Sequence, residues 1–276
     1  MPDAPPRTAA PLSWAPSLSP DAPVLPSVLG VFAHPDDESL LAGGVLAQHA
    51  AAGSRTAVVT TTWAPDSPRA AELAAALDVL GAGAPRMLGY RDARNESSAP
   101  GRPRLCDADL DEAVAAVVAH IRGFRPAAVL THDAFGQLTG HADHRRTHQV
   151  TLLAVQAAGL YPEAGEPWRT GALYAGTHPA SAAGDLGRLM NGVGKTALSV
   201  PDAYTTTAVD VTDQLARKWA AISSHASQLL GERPLPAVLS RLDAERRTRI
   251  LRREYFTRLT PGPVPHPRTG SDGAPS

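Results

Sequence analysis

The order of segments along this chain predicts an α/β fold in which a mainly parallel sheet carries helices on both faces, within a single domain. Three observations carry that prediction. Short runs rich in β-formers recur at Val28–Ala33, Thr56–Thr62, Arg86–Tyr90, Ala127–Thr131, Ala172–Gly176 and Thr206–Val211. Ala- and Leu-rich stretches with helical periodicity separate most of them, at Ser39–Ala52, Pro68–Leu80, Ala108–Gly123 and Asp143–Gly159. The length of 276 residues suits one large α/β unit. Strand-helix alternation leads to parallel pairing with both sheet faces covered, a Rossmann-like arrangement. Ligands of such sheets sit beyond the carboxyl ends of the strands. Two loops therefore come into view: His34-Pro35-Asp36-Asp37 after the first strand, and Thr131 to His144 after the fourth.

Two later helices are expected at Thr212–Gly231 and Pro236–Leu259. The second carries Arg246, Arg247, Arg249, Arg252 and Arg253 beside one apolar stripe of Leu242, Ile250, Leu251 and Tyr255. Its arginines read as a solvated face, because Glu245 and Glu254 accompany them and the whole chain has a formal net charge of -1. That balance gives no field for nucleic acid and points to a small-molecule partner. Residues 1–26 and 261–276 mix Pro, Ala, Gly and Ser with little apolar content, so disordered ends are expected around a domain spanning 27–260. No apolar run approaches the roughly 20 residues of a membrane span, and no secretory pattern opens the chain, so a cytoplasmic location is expected. Cys106 is the single cysteine and reads as a free loop thiol. The run Asn191-Gly192-Val193-Gly194-Lys195-Thr196 is loosely like a phosphate loop, but Leu189 stands where that motif needs glycine.

The two loops carry the chemistry. His34, Asp36 and Asp37 lie within four residues at a strand end, where a histidine and a carboxylate can hold Zn²⁺ while an adjacent carboxylate moves protons. The alternative is that Asp36, Asp37 and Glu38 cap the next helix, and the preceding His-Pro argues against it. In the second loop, His141 and His144 can share one helix face, one completing the metal set and the other serving the reacting carbonyl. His144 and His148 have the spacing of a helical zinc motif, yet its glutamate is missing because Arg145 follows His144. His148 therefore reads as a solvated or helix-packing residue.

Ala33-His34-Pro35-Asp36-Asp37-Glu38 and Gly140-His141-Ala142-Asp143-His144 together resemble the zinc-dependent N-acetylglucosaminyl de-N-acetylases, the LmbE-like or PIG-L-like family. Softer matches are Arg69-Ala70-Ala71-Glu72-Leu73, Leu88-Gly89-Tyr90-Arg91-Asp92, Lys218 and His225-Ala226-Ser227-Gln228. The resemblance covers most of Ser27 to Leu230, and at Ala142 this chain departs from the family's usual His-Pro-Asp-His. It implies that His34, Asp37 and His144 hold the zinc, that Asp36 is general base and then acid, and that His141 stabilises or protonates the tetrahedral intermediate. It implies further that Asp143 orients a histidine from outside the ligand set and that Arg69 and Asp92 face the sugar. The implied reaction removes acetyl from an N-acetylated amino sugar or glycoside, giving acetate and free amine. An amidase cutting a larger acyl group or a thiol conjugate is the rival reaction, and a non-catalytic ligand-binding α/β module the rival class. Mycothiol-type members have Tyr where this chain has Thr139, whose shorter hydroxyl leaves the oxyanion to other groups.

Overall fold

The computed structural model describes residues 25–160 and 165–260. Five strands run parallel: β1 (Val28–Phe32), β2 (Thr56–Thr62), β3 (Arg86–Tyr90), β4 (Ala128–His132) and β5 (Ala172–Gly176). Beyond them lie β6 (Thr207–Asp210) and β7 (Arg253–Arg258), with β7 antiparallel to both its neighbours. The sheet order is β3-β2-β1-β4-β5-β7-β6. The helices are α1 (Asp37–Ala51), α2 (Pro68–Leu80), α3 (Leu110–Phe124), α4 (Ala142–Ala158), α5 (Ala180–Gly192), α6 (Leu215–Ser224), α7 (Leu235–Ser240) and α8 (Ala244–Leu251).

Period-two alternation splits β1 between two cores. Val28 and Phe32 pack with Leu41, Val45, Leu73, Leu77 and Ala221, so α1, α2 and α6 cover that face. Leu29 and Val31 pack with Val117, Ile121, Val150 and Ala154, so α3 and α4 cover the other. Each side chain fully buried this way stabilises the sheet by roughly 1.5–3 kcal/mol before entropy is counted. The chain winds from β1 toward β3, then crosses back to β4 and β5. The order thus reverses between β1 and β4, and a crevice opens beyond their carboxyl ends. Both candidate loops leave the sheet there.

A buried ion pair anchors the helix that leads out of the first loop. Glu254 of β7 accepts hydrogen bonds from the backbone of Gly44 (2.7 Å) and Val45 (2.9 Å) and from Lys218 Nζ (2.7 Å). Glycine at 44 also lets α1 lie against the segment that follows β6, since a Cβ there would lie 2.4 Å from that of Val211.

Two expectations are corrected in the second half of the chain, and one helix there was not foreseen. Pro236–Leu259 is not one helix but α7, α8 and β7. Asp243 breaks it, its carboxylate capping the Arg246 backbone N–H at 2.8 Å and starting α8 afresh. Glu254 and Phe256 then alternate inward with Tyr255 and Thr257, and β7 is the strand that joins β5 to β6, where partners on both sides outweigh the helical pattern. The expected helix Thr212–Gly231 shortens to α6, because the chain turns at His225 (ψ 66°) into a 3-10 turn at Ala226–Leu229. Helix α5 was not expected, since Gly184, Gly187 and Gly192 dilute its helical signal. The expected disordered segments fall outside the described residues except at Leu25 and Pro26; Leu25 is buried and the Pro26 carbonyl bonds His49.

Candidate active site

The first loop turns sharply out of β1. The backbone N–H of Ala33 donates to His132 Nε2 at the end of β4 (3.0 Å), and the Ala33 carbonyl accepts from the Thr62 backbone at the end of β2 (3.0 Å). Asp36 takes a φ of 131°, a conformation that a non-glycine residue holds only under external constraint. The constraint is visible, because the Asp36 N–H is held by Glu38 Oε2 (2.9 Å) and its carboxylate faces Arg69 (3.2 Å). The result directs Asp36 and Asp37, adjacent in sequence, to different partners.

His34, Asp37 and His144 converge. His34 Nδ1 lies 3.2 Å from Asp37 Oδ2, His144 Nε2 lies 3.2 Å from His34 Nδ1, and His144 Nε2 lies 3.4 Å from Asp37 Oδ1. A tetrahedral metal with bonds of about 2.0–2.1 Å to nitrogen and oxygen separates its ligand atoms by about 3.3–3.4 Å. The ring tautomers fit the same reading. His144 Nδ1 donates to the Gly136 carbonyl (3.1 Å), and His34 Nε2 donates to Asp143 Oδ2 (3.2 Å). With Nδ1 of His34 and Nε2 of His144 free of protons, both lone pairs and the Asp37 carboxylate would face one point, where a cation would sit. Burial pulls the His34 pKa down, but the hydrogen bonds to Asp143 and Asp37 and the Asp37 and Asp92 charges outweigh it and raise it to about 10, so a bound cation would take the place of the proton that Nδ1 otherwise shares with Asp37. Burial resists ionisation of Asp37, yet the neighbouring His144 and His132 hold its carboxyl well below the usual range.

Other candidate ligand groupings share these atoms: His34 with His141 and His144, Asp37 with His132 and His144, and His34 with Asp92, His141 and Asp143, each set within 4.8 Å. His132 is disfavoured as a ligand because its Nε2 lone pair already accepts the Ala33 N–H. Burial, with His144 nearby, lowers its pKa to about 4, and it stacks on His144 with ring centroids 4.1 Å apart. Sequence reasoning passed over His132, although its place at the last residue of β4 was the available signal. His148 packs as expected and is buried, its Nδ1 bonding the His132 carbonyl at 2.8 Å.

The remaining sequence-derived residues surround this point. His141 caps α4, and its Nδ1 accepts the Asp143 backbone N–H (3.2 Å), so its Nε2 carries the proton. Burial, then the His34 and His144 charges, push its pKa down to about 3, so the ring is a neutral donor. Asp143 Oδ2 also accepts the Ala93 N–H (2.8 Å) and lies 3.7 Å from His141 Nδ1, so it holds His34 more closely than His141. Asp92 Oδ2 is 3.5 Å from His34 Nε2. Arg69 is turned to Asp36 and the Pro35 carbonyl, with its guanidinium 4.6 Å over the Trp63 ring. Burial raises the Asp36 pKa, Arg69 opposes that rise and Asp37 adds to it. Every sequence-derived site residue except Asp143 lines a cavity of about 670 Å³, with Thr139 on its wall.

A 1D-myo-inositol 2-acetamido-2-deoxy-α-D-glucopyranoside deacetylase of Rhodococcus jostii is 40% identical to this chain over 239 residues, covering 73% of it and 81% of the relative. The profile of the PIG-L family, GlcNAc-PI de-N-acetylase, matches residues 29–155. The chain belongs to the PIG-L family. The N,N'-diacetylchitobiose deacetylase of Pyrococcus horikoshii shares its fold with a TM-score of 0.59 at 18% identity, covering 84% of this chain and 83% of that one. So does GalB, a 4-carboxy-2-hydroxymuconate hydratase of Pseudomonas putida KT2440, with a TM-score of 0.59 at 20% identity, covering 86% and 97%. One fold serving a hydratase and a deacetylase means that the reaction must be argued from the site.

In this PIG-L family member the Glu38 of the first motif has a structural task. It is fully buried and accepts from His225 Nε2 (2.7 Å), Ser39 Oγ (2.5 Å) and the Asp36 backbone, tying the start of α1 to the end of α6. Burial opposes both charges; His225 nonetheless lowers the Glu38 pKa from 4.5, and Glu38 raises that of His225 from 6.5. The raised His225 contributes stability that is complete below pH 6.5 and lost as pH rises through its folded value. The lowered Glu38 contributes stability that is complete above pH 4.5 and lost as pH falls through its folded value. The pair therefore contributes fully between about pH 4.5 and 6.5. Glu38→Gln is expected to cost about 3–5 kcal/mol there, the usual cost of breaking a buried pair, and to lower Tm by roughly 10 °C. An unchanged Tm at pH 5.5 would remove this role.

Proposed function

We propose that this protein is a zinc-dependent hydrolase that removes acetyl from an N-acetylated amino sugar or glycoside, giving acetate and free amine. The observation that carries the reading is the convergence of His34 Nδ1, His144 Nε2 and the Asp37 carboxylate, with Asp36 beside them in one cavity. The 40% identical relative, named as a deacetylase of an acetamido sugar glycoside, supports it. In this reading His34, Asp37 and His144 hold the metal, which when bound polarises the amide carbonyl and acidifies water.

The chain's own residues divide the rest of the work. Asp36, its basicity raised by burial, takes a proton from the attacking water, while Arg69 fixes its direction. The Nε2–H of His141 donates to the oxygen that gains charge as the carbonyl carbon becomes tetrahedral, a contribution of about 3–4 kcal/mol for one such donor. A neutral His141 can act this way without a change of protonation. Asp143 keeps the His34 ring turned so that its Nδ1 stays a lone-pair donor. Asp36 then returns its proton to the amide nitrogen, and the amine leaves. Asp92 lies on the cavity wall, where it can accept from a sugar hydroxyl. The expected partner is a small N-acetylated sugar, and we place the protein in the cytoplasm. No helix among the described residues is long and apolar enough to cross a membrane.

Metal removal tests the reading. Chelation followed by dialysis is expected to abolish amine release from N-acetylglucosamine glycosides. Zinc should restore it at about one ion per chain, because the three donors leave one coordination position for water. Full turnover in chelated protein verified to contain no metal would refute zinc dependence. Release of a larger acid in place of acetate would transfer the reading to the rival amidase.

A further inference from the structure

Among the described residues, three cations in the cavity wall, Lys195, Arg94 and Arg252, have no ion-pair partner, and of these the Arg252 charge acts on Asp210, which Arg253 also faces. Arg69 faces Asp36, Lys218 faces Glu254, Arg188 and Arg249 face Asp185, and Arg253 faces Asp210. The side chains of Lys195 and Arg94 line the same cavity, and neither has an ion-pair or hydrogen-bond partner among the described residues. Lys195 belongs to the glycine-containing run that failed as a phosphate loop. The fold uses this run in another way. Helix α5 ends in a Schellman turn, with Lys195 N–H on the Met190 carbonyl (3.0 Å), Gly194 N–H on the Asn191 carbonyl (3.0 Å) and Gly194 at φ 69°. That turn reverses the chain and sets Lys195, half-buried, in the cavity wall. Arg233 donates to the Gly194 carbonyl (3.3 Å), steadying the turn and adding a third positive charge.

We propose that Lys195 and Arg94 form an anion subsite beside the reacting centre, so that the preferred substrate is an N-acetylated sugar conjugate bearing a phosphate or carboxylate away from its acetamide. The proposal rests on the deacetylase reading for its substrate and on the cavity wall for its charge. Burial lowers the Lys195 pKa, and Arg233 and Arg94 lower it further; the carboxylate that offsets them is Asp36, which Arg69 already engages. Like charges held together without a counter-ion are stabilised by an arriving anion, and charge-assisted hydrogen bonds to it are the strong kind. The subsite lies close to the chemistry, since the Arg94 charge also reaches His141. The inositol glycoside in the relative's name carries no acidic group, so this feature would separate the two specificities.

The test compares three probes on the zinc-loaded full chain: a neutral methyl glycoside of N-acetylglucosamine, N-acetylglucosamine 6-phosphate and the carboxylate-bearing N-acetylmuramic acid. The expected kcat/KM is at least about tenfold higher for one of the acidic probes at low salt, and the advantage should shrink as salt screens it. The better acidic probe identifies which anion the subsite takes. In the double variant Lys195→Gln, Arg94→Gln, the acidic-to-neutral ratio should fall to about one, and Lys195→Arg should keep most of it. Equal ratios in wild type and double variant, or no preference in wild type, would overturn the subsite. Should no probe lose its acetyl group, the deacetylase reading is what fails, and calorimetry then decides the subsite. Binding of N-acetylglucosamine 6-phosphate that the double variant loses would sustain it. Binding absent in both proteins, or equal in both, would sink it.

Discussion

Asp37→Ala is expected to empty the metal site and abolish turnover together. One carboxylate reaches both ring donors, Oδ2 toward His34 and Oδ1 toward His144, and Oδ2 also accepts the His34 backbone N–H at 2.8 Å. Alanine would leave two neutral imidazoles and no anionic ligand, below the three protein ligands that a catalytic zinc uses. Zinc content should drop from about one per chain to near zero, and turnover should fall below detection even with added zinc. A melting curve close to that of the metal-free wild type separates loss of a ligand from loss of fold. A full complement of zinc in this variant would remove Asp37 from the ligand set.

Asp36→Asn should have the opposite metal content and nearly as large a kinetic effect. The amide keeps the size of the side chain, and asparagine, like aspartate, is among the residues most tolerant of positive φ, so the strained turn at 131° can persist. What it loses is basicity. Zinc should stay at the wild-type level while kcat falls by about 10²- to 10⁴-fold, the usual contribution of a positioned general base. His34, Asp37 and His144 do not depend on the Asp36 carboxylate for their mutual contacts, which is why metal and rate should separate here. If Asp36→Asn emptied the site and Asp37→Ala left it full, the two roles would have to be exchanged. Near-normal turnover with zinc retained in both would return the pair to the task of capping α1.

The parallel half of the sheet was legible because its signals are local. Strands such as β1 and β2 are buried throughout and read as short runs of β-formers, and α1 to α4 keep helical periodicity for three or more turns. The C-terminal third was not, because β7 takes its identity from β5 and β6, which lie far away in sequence. Arg252 to Leu259 carries both a helical stripe and an alternation, and hydrogen bonds on both edges decide between them. The same limit explains His132. Its residue type was visible, but the Ala33 N–H that occupies its lone pair comes from the loop after β1, 99 positions away.

Sequence alone determined that the two acidic and histidine-rich loops would meet, since strand-helix alternation brings the ends of the first and fourth strands to one edge of the sheet. It could also single out two adjacent aspartates as having different tasks, but gave no physical ground of its own for saying which was which. Tertiary structure decided the rest. A positive φ at Asp36 turns its carboxylate toward Arg69 while Asp37 bridges two histidines, and partners up to 109 positions away set which ring nitrogen of each histidine is free. Lys195 reaches the cavity through a turn that its own motif does not encode as a phosphate site. Residue types and local period are properties of neighbouring residues. Tautomer, charge and direction depend on groups that only folding brings within about 4 Å, where hydrogen bonds and desolvation act.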